Sequence, residues 1–108
     1  MTTTFEKFYR QLYKTFEHGM SLTVSIGEYE LARDSGAYAG LERCHFTCNI
    51  KPEAVTLTDG ELYIEYDNGS LSISNIERFN TTLTDETESE ECYLLHEKDS
   101  TYYYSFCF

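Results

Sequence analysis

The residues best equipped for chemistry are four cysteines, Cys44, Cys48, Cys92 and Cys107, and three histidines, His18, His45 and His96. Cys44-x3-Cys48 and Cys92-x3-His96 offer three thiols and an imidazole, donors of the kind zinc takes. On a helix, ligands four apart converge. On a strand they stand ~13 Å apart, too wide for one ion held at ~2.3 Å. The paired C-x2-C knuckle is absent. Nucleophilic catalysis needs a cysteine or serine beside a base, and the scattered histidines form no such motif. The glycines match neither a phosphate-binding loop nor a dinucleotide fingerprint. No cofactor and no enzymatic activity are therefore expected, and the cysteines read as small buried hydrophobes.

Carboxylates are the other abundant group. The formal charge is −11, and its distribution is lopsided. Residues 1–52 hold six acids and six bases, whereas residues 53–108 hold thirteen acids against Arg78 and Lys98. The segment "TDETESEECY" places Asp85, Glu86, Glu88, Glu90 and Glu91 within a few positions. Such a run by itself is a solvated connection. Direct binding to nucleic acid is disfavoured, because that affinity comes from Lys and Arg neutralising phosphates. A surface of this sign suits a basic partner.

The elements that must position these groups follow from periodicity. Phe5, Phe8, Tyr9, Leu12, Tyr13 and Phe16 recur at helical spacing, Thr3 with Glu6 fits a capping box, and Gly19 suits a left-handed cap. A helix is predicted over about 3–18. Beyond it the period becomes two, with Met20, Leu22, Val24 and Ile26 on one side of a strand. Residues 27–40 read as a hairpin tip or long loop with a weak strand near 29–31. "LERCHFTCNI" alternates again, placing Cys44, Phe46, Cys48 and Ile50 on one face and His45 on the other. Pro52 ends it.

The stretch "AVTLTDGELYIEYDNGSLSIS" holds Asp59-Gly60 and Asn68-Gly69, the dipeptides that two-residue hairpins prefer. Turns centred there pair Leu57 with Leu62, Val55 with Ile64, Tyr66 with Leu71 and Ile64 with Ile73. All aliphatic side chains then share one face, and Thr56, Thr58, Glu61, Tyr63, Glu65, Ser70 and Ser72 share the other. Phe79, Thr81 and Leu83 form a further short strand. "CYLLH" and "TYYYSFCF" form a last hairpin around Lys98, Asp99 and Ser100. In it Tyr102 and Tyr104 join the core with Phe106 and Phe108, and Tyr103 is exposed. The expected fold is a single α+β domain over 1–108. Its N-terminal amphipathic helix packs on one face of a mainly antiparallel sheet of about six to eight strands with a central β-meander.

The N-terminus lacks the basic-then-apolar pattern of a signal peptide, and no apolar run is long enough to span a membrane. A cytoplasmic location with reduced cysteines is the corresponding expectation. In size, acidity and tyrosine content (ten residues) the chain resembles the small nucleic-acid-mimicking inhibitors of phages and mobile elements, of anti-restriction and anti-CRISPR type. The resemblance is one of composition and assigns no residue a role. It implies a non-enzymatic protein that binds a nuclease or other basic nucleic-acid-binding protein and occupies its nucleic-acid site. The contact residues expected from the charge layout are Glu61, Tyr63, Glu65, Asp85, Glu86, Glu88, Glu90 and Glu91. Two alternatives stand beside it: an immunity protein or antitoxin that neutralises a basic nuclease toxin by the same charge logic, and a small enzyme or zinc protein built on Cys44, Cys48, Cys92 and His96.

Overall fold

The computed structural model describes residues 3–29, 42–83, 92–98 and 100–108, with backbone alone at 29 and 42–45. The chain opens with helix α1 (Thr4–Glu17). Thr3 caps it, its Oγ1 accepting the Glu6 N–H at 3.1 Å. At the other end Gly19 sits at φ +62°. The Gly19 N–H donates to the Phe16 carbonyl and the Met20 N–H to the Thr15 carbonyl, the paired bonds of a Schellman cap. This capping draws Met20 out of the strand expected to begin there, and its side chain is exposed.

Eight strands follow among the described residues: β1 (Leu22–Tyr29), β2 (Glu42–Ile50), β3 (Pro52–Thr58), β4 (Glu61–Tyr66), β5 (Gly69–Ile73), β6 (Phe79–Leu83), β7 (Cys92–Glu97) and β8 (Tyr102–Cys107). The fold is α+β, with one N-terminal helix packed on antiparallel sheets of five and three strands. The larger sheet has the order β2-β1-β8-β7-β6, and the smaller is the meander β3-β4-β5. Lys51 marks the change of sheet. Ile50 ends β2 in the larger sheet and Pro52 opens β3 in the smaller, a first-strand position where a missing N–H costs little.

One continuous core joins the three parts. Phe8 and Leu12 come from the helix, Leu22, Val24, Ile50, Leu95 and Phe106 from the large sheet, and Leu62, Ile64 and Ile73 from the meander. All are buried, and each contributes about 1.5–3 kcal/mol relative to exposure. Phe8 is the hinge of this packing, with its ring centroid 4.8 Å from Phe106 and 5.7 Å from Tyr93.

Alternation places Tyr102, Tyr104 and Phe106 on the core side of β8 and Tyr103 on the opposite side, as its period requires. Burial, however, departs from the expectation. Tyr103 is 1% exposed and Tyr102 is 52% exposed. Gly27, Tyr103 and His96 are neighbours in the register of β1, β8 and β7. All three are buried, so the second face of the large sheet is covered at this point. Tyr102 instead lies at the first position of the strand, beside the connection from β7.

The first meander turn has the expected register, with Leu57 opposite Leu62 and Val55 opposite Ile64. Asp59 and Gly60 have φ of 51° and 75°, the left-handed pair of a type I′ turn. The second turn differs. Tyr66 pairs with Gly69, Ile64 with Leu71 and Leu62 with Ile73, so the turn lies on Asp67-Asn68 and the register moves by two. A shift of two leaves every side chain on its expected face.

Candidate acidic interaction face

The meander presents its aliphatic residues to the core and its polar residues outward. Glu61, Tyr63 and Glu65 lie on β4, the central strand, and all three are exposed. Being bonded on both sides, β4 holds them at strand spacing, ~7 Å between successive members and ~13 Å between the two carboxylates. Their cross-strand neighbours are small and uncharged: Thr58 beside Glu61, Thr56 and Ser72 beside Tyr63, Ala54 and Ser70 beside Glu65. Ser72 Oγ donates to Glu61 Oε1 at 2.8 Å, which orients that carboxylate. Asp59 and Asp67 are exposed at the two turns.

The meander brings no cation of its own to this face. Residues 52–77 contain no Lys or Arg. Arg78, the first base after it, reaches Glu97 on β7 at 3.4 Å and lies 6.0 Å from the centroid of the Phe79 ring. Its charge is thus directed to the large sheet. Of the expected contacts, Glu61, Tyr63 and Glu65 are brought together; Asp85, Glu86, Glu88, Glu90 and Glu91 lie outside the described residues.

The cysteine and histidine set does not assemble. Cys92 and Cys107 are directly opposite in the β7–β8 register and form a disulfide, which corrects the expectation of four reduced thiols. Cys92 is therefore no thiolate ligand. Cys44 and Cys48 lie on β2, separated from His96 on β7 by β1 and β8. Three strand spacings put β2 and β7 ~14 Å apart, so one zinc cannot bridge them. Cys48 is a free thiol whose Sγ contacts the Asn49 carbonyl at 3.5 Å. Among the described residues no group of three or more His, Cys, Asp or Glu is placed to hold a metal.

The bridge was readable in principle. A hairpin turning around Lys98, Asp99 and Ser100 is centred near residue 99, and equal steps outward bring Cys92 to within one position of Cys107. Among the described residues no helix is long and apolar enough to cross a membrane. Comparison with protein-family models, curated proteins and solved structures finds no match.

Proposed function

We propose that the chain is a non-enzymatic binding protein whose meander face occupies the nucleic-acid site of a basic nucleic-acid-handling protein, as inhibitors of anti-CRISPR or anti-restriction type do. The observation that carries this reading is the set Glu61, Tyr63 and Glu65, exposed side by side on a central strand with no Lys or Arg from 52 to 77. A groove that binds phosphates is lined by Lys and Arg. Carboxylates held at fixed spacing meet such cations without the entropy cost that a flexible acidic tail incurs on binding. Tyr63 supplies the aromatic body that interface centres favour. The remaining negative charge of the second half steers encounter and makes association sensitive to salt.

The test is competition. Candidate basic nucleases and nucleic-acid-binding proteins are loaded with a labelled duplex or single strand, and the chain is titrated in at low and moderate salt. Displacement that weakens with salt and is lost in Glu61→Lys/Glu65→Lys supports the reading. Binding that leaves the nucleic acid in place, or displacement unchanged by that double reversal, overturns it.

A further inference from the structure

Helix α1 is covered on only part of its apolar stripe. Phe8 and Leu12 enter the core; Phe5 and Tyr9 are half-buried against it and, with the exposed Tyr13, each one turn from the next, form the wall of an open groove of about 540 Å³. Leu57 of β3 lines the groove with them. Tyr13 and Leu57 remain 40% and 36% exposed, far from the full burial of Phe8. The volume falls in the range of small-ligand sites, about 300–1,000 Å³.

Beside the aromatic row, one residue further along in each turn, runs a charged row. Glu6, Arg10 and Lys14 line the groove, and Glu17 follows at its end. The order of signs is negative, positive, positive, negative. Arg10 and Lys14 are adjacent turns apart, ~6 Å along the axis, within joint reach of a single carboxylate. Neither is exchanged for an internal ion pair among the described residues. The chain's excess of carboxylates lies in residues 53–108, whereas an anion approaching the helix meets two cations here.

We propose that this groove binds a small amphipathic carboxylate. Its planar apolar body lies against Tyr9, Tyr13 and Leu57, where ring faces offer stacking and apolar contact. Its carboxylate sits between Arg10 and Lys14, accepting charge-assisted hydrogen bonds. Glu6 and Glu17 bound the positive pair at both ends, so an extended polyanion meets like charge beyond the first group, and a ligand with one negative charge is selected. The site involves none of the residues of the acidic face and stands independently of the function proposed for it.

Titration of the full chain with indole-3-acetate, indole and tryptamine, followed by calorimetry and NMR, tests this. These probes share a ring and differ in charge. Indole-3-acetate binds most tightly and tryptamine least, with perturbed signals at 5–17 and at Leu57. Arg10→Gln/Lys14→Gln, at two exposed positions, lowers indole-3-acetate affinity by up to about tenfold, the scale of two exposed ion pairs. The same change leaves indole binding unaltered. Added salt weakens indole-3-acetate binding to the unaltered chain and spares indole. Equal affinity for all three probes, no saturable binding in the millimolar range, or signal changes confined to the sheets overturns the proposal.

Discussion

Ser72 on β5 donates a 2.8 Å hydrogen bond to Glu61 on β4, although its direct cross-strand partner is Tyr63. The bond therefore runs diagonally across the exposed face. It turns one carboxylate of the pair into a fixed feature, while Glu65 faces Ser70 across the strand with no such bond among the described residues. Removing the bond separates orientation from charge. Ser72→Ala is expected to change stability by no more than about 0.5 kcal/mol, the ordinary scale of surface substitutions. It should weaken partner binding less than Glu61→Gln does, because the charge survives. Denaturant unfolding and the competition titration read the two effects separately. If Ser72→Ala abolishes binding as fully as Glu61→Gln, direction rather than charge governs the contact.

Phe8 and Tyr13 lie on the same aromatic stripe yet differ sharply in burial, 0% against 40% exposed. Phe8→Ala empties space beside Phe106, Tyr93 and Phe108. A loss of about 3–5 kcal/mol is expected for such a truncation. Tyr13→Ala removes a ring that solvent already reaches and should cost less than about 1 kcal/mol. Urea midpoints of the two variants check the contrast. Comparable losses would mean that the groove beside Tyr13 is packed rather than open.

The Cys92–Cys107 bridge joins the open ends of β7 and β8, fifteen residues apart in sequence. Loop closure of that length is worth about 3 kcal/mol in the chain-entropy picture. Reduction, or Cys92→Ser/Cys107→Ser, should lower unfolding free energy by about 2–4 kcal/mol. Cys48→Ser, at a partly buried free thiol, should cost less. Alkylation of the unfolded, unreduced chain followed by peptide mass mapping checks the pairing itself. Cys92 and Cys107 should react only after reduction, and Cys48 before it.

How much of this was legible depends on which interactions decide each feature. The helix and first meander turn are decided locally: Thr3, Gly19 and Asp59-Gly60 carry backbone demands that few other residues meet. The acidic face was legible for the same reason, since period two and a buried aliphatic face leave Glu61, Tyr63 and Glu65 only one side. The second turn was misplaced because Asn68-Gly69 permits a left-handed pair without requiring one. Tyr103 was misread because a strand's alternation divides its faces but does not say whether both are covered. The division into two sheets turns on Lys51-Pro52, where a proline that ends one strand equally well begins another.

Gly60 and Gly69 end the two turns of the meander for different reasons, and substitution distinguishes them. Gly60 has φ +75°, and an added Cβ would have room, its nearest neighbour being Glu77 Oε1 at 3.9 Å. Its cost is therefore conformational, about 1–2 kcal/mol for Gly60→Ala. Gly69 has no left-handed φ, but a Cβ there would stand 3.2 Å from the Tyr66 hydroxyl and 3.4 Å from its Cζ. Tyr66 is its direct cross-strand partner, and the ring lies over the space that the glycine leaves open. Gly69→Ala should cost less than about 1 kcal/mol, since the ring tip can shift, and that cost should vanish in a Tyr66→Ala background. Gly60→Ala should cost the same in both backgrounds. A double-mutant cycle of unfolding free energies measures each coupling. Additive behaviour at Gly69, or coupling to Tyr66 at Gly60, would reverse the two assignments.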